Sequence, residues 1–213
     1  EKEKIKKFFK REARALARLN HPSIPAVYDY SDDSHDPAYI AMELIDGMTL
    51  HEVTQTKELT PIPVILGILQ RVAEALAHAH QSGLIHRDIK PDNFLFQTED
   101  DDSPLKATDF GLAGKLPPKG EVLARRCGTP SYMAPEVIER NYGSQADVWS
   151  AGVVAYQLLS GRLPFIDKVN ARPNAKEVFR AILEDEVDLE SDPWSQVSDE
   201  AKDFVRKLLD RDP

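Results

Sequence analysis

The hydrophobic and polar positions along this chain follow helical spacing in some segments and strand-like runs in others. Residues 5–19 carry apolar side chains at helical spacing with charges between them, which predicts a helix that ends at Asn20-His21-Pro22. Residues 24–30 and 39–45 are rich in β-branched and aromatic side chains, and a polar stretch at 31–37 separates them. This arrangement predicts a pair of strands joined by a polar turn.

Beyond residue 47 the patterns become mostly helical. A long helix is predicted from Thr60-Pro61 to Ser82-Gly83, because proline is favoured at a helix start and glycine just past its end. Residues 148–159 are apolar nearly all round, which predicts a buried central helix. Amphipathic surface helices are predicted at 175–184 and 198–209.

Length, composition and charge exclude several classes of protein. With 213 residues, the chain can form one substantial core, or one large and one small lobe. It contains no run of eighteen apolar residues, so no membrane span is expected. The single cysteine, Cys127, excludes an internal disulfide framework and fits a reducing compartment, for which we expect the cytoplasm. The net charge of −9 argues against nucleic-acid binding and suits basic peptide substrates, and the acidic run at 99–102 predicts a solvated hairpin turn.

The strongest chemical signal lies in residues 86–93, which read His-Arg-Asp-Ile-Lys-Pro-Asp-Asn. This run places a carboxylate, an ammonium group and an amide close together, and Asp-Phe-Gly at 109–111 adds a further carboxylate. Transfer of a phosphoryl group from a nucleotide needs an acidic group that receives a hydroxyl proton, a cation near the moving phosphate and oxygen ligands for Mg²⁺. The two motifs together supply all of these groups.

With Ala-Pro-Glu at 134–136, these motifs closely resemble the signature of eukaryotic-type protein kinases. The resemblance implies an α+β, protein-kinase-like fold. It places a partial N-lobe, with one helix and part of a sheet, at 1–46 and a mostly helical C-lobe that lacks its last helices at 47–213. The glycine-rich loop and strand lysine of the signature do not occur in the sequence, so we expect an incomplete catalytic domain with little activity by itself.

Several segments between residues 93 and 213 resemble the plant and protist calcium-dependent protein kinases, within the wider calmodulin-dependent group. They are residues 93–96, 104–112, 120–122, 140–143 and 191–194. In that family a calmodulin-like segment with EF-hands follows the catalytic domain. The sequence contains no EF-hand loop pattern, so any calcium-sensor segment is expected outside this chain.

The resemblance implies roles for the residues of the two main motifs. Asp88 would be the catalytic base that accepts the proton of a substrate Ser or Thr hydroxyl, and Lys90 would neutralise the transferring phosphate. Lysine at this place is typical of the Ser/Thr class. Asn93 and Asp109 would hold Mg²⁺ and, with Lys90, the phosphates of ATP.

Other residues are implied to bind the adenine ring or the substrate. Met42 and Glu43 fall at the gatekeeper and hinge, where extended backbone hydrogen-bonds adenine, and Leu95 matches the side chain beneath the adenine ring. Thr129 would bridge the base and the phosphate-binding lysine. Asp92 stands where kinases that prefer upstream basic residues carry a carboxylate, so it would bind an Arg or Lys of the substrate.

Further residues would shape the site without taking part in chemistry. Asp147 would accept hydrogen bonds from the backbone of the catalytic loop. Glu136 normally pairs with a later arginine that the sequence does not reach, and Glu12 normally pairs with the strand lysine. Residues 112–127 contain no Ser, Thr or Tyr, so Arg87 would need an anion other than a phosphorylated residue, and Glu121 is the nearest acidic candidate.

The leading hypothesis is therefore a Ser/Thr protein kinase that uses ATP and Mg²⁺ and acts on protein substrates. A pseudokinase or scaffold that binds protein partners is the alternative, which the missing nucleotide loop favours and the intact Asp88, Asn93 and Asp109 disfavour. Transfer to small molecules is disfavoured, because Gly-Thr-Pro at 128–130 and Ala-Pro-Glu at 134–136 would build a ledge for a peptide.

Overall fold

The computed structural model describes residues 13–14, 16–31, 39–55, 60–98, 103–118, 120–166 and 174–212. Three predictions concern residues outside these ranges: most of the first helix with Glu12, most of the polar turn at 31–37, and the acidic run at 99–102. Of the first predicted helix, residues 13, 14 and 16 are described and helical. Ala13, Leu16 and Leu19 are buried, in agreement with the predicted apolar face.

The predicted strand pair is present and shorter than its sequence pattern. Strand β1 (Val27–Tyr30) pairs antiparallel with β2 (Ile40–Met42), and the register shifts between Val27 and Asp29. The chain then leaves the sheet through residues 43–48 and enters the short helix α1 (Leu50–Thr54). Thr49 caps this helix and exchanges hydrogen bonds with Glu52 in a capping box.

Helix α2 (Ile62–Gln81) is the long helix that the Pro61 and Gly83 signals predict. Among the described helices, it alone is long and apolar enough, by length and composition, to cross a membrane, although no run of eighteen apolar residues occurs. One of its faces is buried in the core through Ile65, Ile68 and Val72. The helix packs there against helix α4 (Gln145–Ser160), as the central helix of a folded lobe does.

Two small antiparallel sheets lie beyond α2 and frame the candidate site. Strand β3 (Leu84–Ile85) pairs with β6 (Gly114–Lys115), and β4 (Phe94–Phe96) pairs with β5 (Leu105–Ala107). The sequence between β3 and β4 is the 86–93 motif, and Asp-Phe-Gly lies between β5 and β6. Each motif is therefore flanked on both sides by a paired strand, and these strands hold both motifs at one end of the helical core.

The remaining helices complete that core. Helix α3 (Pro135–Glu139) leads to α4, of whose 16 residues twelve are buried, as the apolar pattern predicts. Helices α5 (Ala175–Glu184) and α6 (Asp199–Leu208) follow the predicted amphipathic ranges to within one residue. Asn174 caps α5 in a capping box with Glu177 and Ser198 caps α6, so both helix starts are fixed by local side chains.

Candidate active site

A buried carboxylate at the start of α4 holds the segment 86–93, called the catalytic loop below. Asp147 is 0% exposed, and its two oxygens accept hydrogen bonds from the backbone N–H groups of His86 and Arg87, each at 2.8 Å. His80 of α2 lies 2.8 Å from the same carboxylate. A buried charge is stable only when hydrogen-bonded on several sides, as this one is. The predicted contact between Asp147 and the loop backbone is therefore present in the structure.

The carboxylate of Asp88 is surrounded by donors and a cation. Its Oδ1 accepts hydrogen bonds from the backbone N–H and the hydroxyl of Thr129, at 2.9 and 2.8 Å. Its Oδ2 lies 3.3 Å from Nδ2 of Asn93 and 3.5 Å from Nζ of Lys90. The structure thus brings together four predicted site residues. Among the described contacts, Thr129 bonds to Asp88 and not to Lys90, so only half of its predicted bridge is formed.

Asn93 and Asp109 offer oxygen donors suited to Mg²⁺, and Asn93 lies beside the Asp88 carboxylate. Asn93 is 4% exposed, and its Nδ2 donates a hydrogen bond to the backbone oxygen of Asp88 at 2.8 Å. Its side-chain amide oxygen is the atom that could bind Mg²⁺. Asp109 has a left-handed backbone with φ of 52° and accepts a hydrogen bond from the N–H of Gly111 on one oxygen. No group of three or more His, Cys, Asp or Glu suited to a metal occurs in the described ranges. Since Mg²⁺ in kinases uses few protein ligands plus water and phosphates, this donor set fits it.

Phe110 fixes the Asp-Phe-Gly segment by packing inward. Its side chain is 3% exposed, and its ring lies 4.5 Å from the ring of His86. His86 in turn contacts the carbonyl of Thr108 through Nε2 at 3.0 Å. The N–H of Thr108 donates to the backbone oxygen of Asn93 at 2.8 Å. These contacts join the segment before Asp109 to the catalytic loop, so they fix the positions of Asn93 and Asp109, the predicted metal ligands, relative to each other.

The residues predicted to bind adenine lie at the end of β2, directly after it, and on β4. Met42 is 43% exposed at the end of β2, and Leu95 of β4 is half-buried. The N–H of Glu43 donates to the carbonyl of Ala26 at 2.8 Å, so its own carbonyl is the backbone group left for a ligand. The side chain of Glu43 is turned toward Lys106, with Oε2 and Nζ 2.8 Å apart.

The sequence patterns did not indicate Lys106 as part of the site. It is 6% exposed on β5, directly opposite Leu95 in the sheet register. Gln97 and the backbone N–H of Ala26 also contact the Glu43 carboxylate. The sequence contains one signal, because a lysine stands between the apolar residues Leu105 and Ala107. A lysine is rarely buried in a strand unless it pairs with an acidic side chain.

Two further carboxylates have contrasting surroundings. Asp92 is exposed near the end of the 86–93 segment. Burial of Tyr132 raises the pKa of its hydroxyl, and the negative charge of Asp92 adds to this effect. Glu136 has one buried carboxylate oxygen with no hydrogen-bond partner among the described residues. Burial raises the pKa of Glu136 above its usual range, with Glu139 adding to the effect.

Comparison with known proteins gives consistent matches along the chain. The family model described as "Protein kinase domain" matches residues 1–213. Calcium-dependent protein kinase 25 of Arabidopsis thaliana is 43% identical over 202 residues, which are 92% of this chain and 36% of that protein. Calcium/calmodulin-dependent protein kinase type 1 of Macrobrachium nipponense is 39% identical over 200 residues, 93% of this chain and 55% of that protein. A CDPK-related protein kinase of Daucus carota is 39% identical over 207 residues, and the chain spans 33% of its length.

Proposed function

This chain belongs to the protein kinase domain family, and we propose that the protein transfers the γ-phosphoryl group of ATP to Ser and Thr hydroxyls of protein substrates. The observation that carries the proposal is the contact set of Asp88 with Thr129, Asn93 and Lys90, held on the buried Asp147. A scaffold has no need of an oriented carboxylate with a cation and an amide oxygen beside it. The structure thus supports a catalytic role for this lobe.

The hydrogen bonds of Asp88 indicate which of its oxygens acts as the base. Oδ1 already accepts two hydrogen bonds from Thr129, which use both of its lone pairs. Within the described ranges, Oδ2 accepts only from Asn93 and faces Lys90. The proton of the substrate hydroxyl is therefore expected to pass to Oδ2, and Thr129 orients the carboxylate for this transfer.

ATP and Mg²⁺ are the cofactors that this family uses. When bound, Mg²⁺ would neutralise charge on the phosphates. Asn93 and Asp109 would hold it, and Lys90 would lie against the transferring phosphate. Met42, the carbonyl of Glu43 and Leu95 would bind adenine. These residues position the reactants, and positioning with charge stabilisation is most of catalysis in phosphoryl transfer.

The partners and the location follow from charge and from the relatives. An acidic chain with Asp92 exposed beside the base suits substrates with an upstream Arg or Lys. Because two of the compared relatives are named as calcium-dependent and calcium/calmodulin-dependent kinases, we propose that a calcium sensor regulates the protein. The single thiol of Cys127 suits the cytoplasm, which subcellular fractionation would test.

The direct test is a phosphotransfer assay on the full-length gene product. With ATP, Mg²⁺ and a basic protein substrate, we expect label from the γ-phosphate on Ser and Thr and none on small-molecule acceptors. Binding of partner proteins with no transfer at any Mg²⁺ or Ca²⁺ concentration would support the scaffold alternative instead.

A further inference from the structure

The chain that leads to Thr129 is held by hydrogen bonds on both sides of a short stretch. Leu123 and Tyr142 exchange two backbone hydrogen bonds, at 2.9 and 3.2 Å. Tyr142 is 1% exposed, and its hydroxyl donates to the carbonyl of Arg125 at 2.7 Å. At the far end, Thr129 donates its two hydrogen bonds to Asp88. The backbone between these points therefore determines how Thr129 meets the proposed base.

Within this stretch, the side chain of Arg126 makes two contacts with other elements. Its Nη2 donates a hydrogen bond to the carbonyl of Ile138, in the last turn of α3, at 2.6 Å. The N–H that would continue the helix to this carbonyl belongs to Tyr142 and is bonded to Leu123 instead. Arginine therefore satisfies a free helix-end carbonyl, a favoured place for a cation. Its guanidinium carbon also lies 5.0 Å from the centroid of the Phe179 ring on α5, a cation–π contact.

Other means of ordering this stretch are not found along the same part of the chain. Residues 112–127 contain no Ser, Thr or Tyr that could carry a phosphate. The sequence suggested Glu121 as the anion for Arg87 instead. Among the described residues these two form no ion pair, and Nε of Arg87 donates to the carbonyl of Leu112. The contacts of Arg126 with α3 and α5 are therefore the side-chain contacts that hold this stretch nearest to Thr129.

The link from Arg126 to Thr129 is short and closely packed. Only Cys127 and Gly128 separate them. Gly128 has φ of 109°, and a Cβ there would lie 2.6 Å from the carbonyl oxygen of Arg87, so the backbone passes directly against the catalytic loop. Because so short a link has little room to adjust, a shift of the backbone at Arg126 would also move Thr129.

We propose that Arg126 is a positioning residue for phosphoryl transfer, which holds the chain before Thr129 on α3 and α5 and so keeps Thr129 bonded to Asp88. The inference rests on the proposed kinase function and deepens it. Arg126 acts through Thr129, whose hydrogen bonds orient the base, and it touches neither the nucleotide nor the reacting atoms.

Removing the guanidinium tests this role. Arg126→Met keeps an apolar stem that can pack on Phe179 and removes the charge and the hydrogen-bond donors. In the full-length gene product we expect kcat to fall about tenfold, because Asp88 is less well oriented. KM for ATP and KM for a Ser-containing peptide should stay within about twofold of wild type, since Arg126 contacts neither substrate.

Arg211 provides a matched control that lies outside the proposed machinery. Its Nε donates to the carbonyl of Ile182 at 2.8 Å, it also donates to the carbonyl of Asp185, and its guanidinium carbon lies 6.0 Å from the centroid of the Phe165 ring. Arg211→Met thus removes the same kinds of contact as Arg126→Met. We expect a similar loss of stability in urea and a kcat within about twofold of wild type.

A second variant tests whether Arg126 acts through its contact with α5. Phe179→Leu removes the aromatic ring and keeps an apolar side chain, and we expect kcat to fall about two- to fivefold. Because both changes remove one shared contact, the double variant with Arg126→Met should lose little more than Arg126→Met alone.

Three results would overturn the proposal. They are a wild-type kcat in Arg126→Met, equal losses of kcat in Arg126→Met and Arg211→Met, and fully additive losses in the double variant. A raised KM for the peptide with unchanged kcat would also overturn it, because Arg126 would then bind the substrate. An inactive wild-type protein would instead contradict the kinase function.

Discussion

Nζ of Lys106 lies 2.8 Å from Oε2 of Glu43, a contact between residues 63 positions apart in sequence. The lysine is buried on β5, and the glutamate directly follows β2 and begins the segment that leaves the β1–β2 sheet. Contact with Lys106 and the N–H of Ala26 holds the pKa of Glu43 below its usual range, although its burial acts in the opposite direction. The pair therefore joins the segment that is proposed to bind adenine to strand β5, which leads into the Asp-Phe-Gly segment.

Lys106→Met should strongly destabilise the chain, because it leaves the Glu43 carboxylate without its cation. Loss of one partner of a buried ion pair costs about 3–5 kcal/mol. The control is Lys207→Met, since Lys207 lies 2.7 Å from Asp203 but is 75% exposed, and exposed pairs contribute about 0–1 kcal/mol. Urea unfolding of both variants measures the two losses. Similar losses would show that the Glu43 pair behaves as a surface contact.

Glu136→Gln should stabilise the 213-residue chain at neutral pH. The variant removes the charge of a carboxylate whose Oε1 is buried without a hydrogen-bond partner among the described residues. Removing such an unsatisfied group should raise the free energy of unfolding by on the order of 1–3 kcal/mol. Because the folded pKa of Glu136 is raised above its ordinary 4.5, the wild-type chain loses stability as pH rises through 4.5, and the loss is complete once pH exceeds the raised pKa. The advantage of the variant should therefore shrink as pH falls toward 4.5. Urea unfolding at several pH values measures this advantage, with Glu186→Gln, at an exposed glutamate, as the control. A difference that does not depend on pH would contradict the assignment.

Asp92→Ala should change substrate preference in the full-length protein. If Asp92 binds an upstream arginine through a charge-assisted hydrogen bond, its loss should raise KM for an arginine-containing peptide by about tenfold. The same peptide with that arginine replaced by alanine is the control and should be affected much less. Steady-state kinetics on both peptides decides, and equal changes would remove Asp92 from substrate recognition.

Asp109→Ala should weaken nucleotide binding only when Mg²⁺ is present. The variant removes one of two proposed protein ligands, so we expect a roughly 10- to 100-fold weaker affinity for ATP with Mg²⁺ and little change with EDTA. Asp203→Ala, on the exposed face of α6, is the control. Titration with a fluorescent ATP analogue measures these affinities. Equal weakening in both buffers would assign Asp109 a structural role.

Local patterns predicted the helices well and the side-chain partners poorly. Helix α5 was predicted with its observed bounds, because its amphipathic period is a local signal. The contacts of Lys106 with Glu43 and of Tyr142 with Arg125 join separate segments, so no local period encodes them. The motif at 86–93 indicated the site because it places most of its groups within eight residues.

The most direct measurement of the central claim compares wild type with Asp88→Asn in the full-length protein. Asparagine keeps the size of the side chain but cannot accept the hydroxyl proton, so kcat should fall by about 10²- to 10⁴-fold. Affinity for ATP with Mg²⁺ should stay near that of wild type, which would show that the variant is folded. A variant that phosphorylates a Ser/Thr peptide as fast as wild type would contradict the assignment of Asp88 as the base and, with it, the kinase mechanism proposed for this chain.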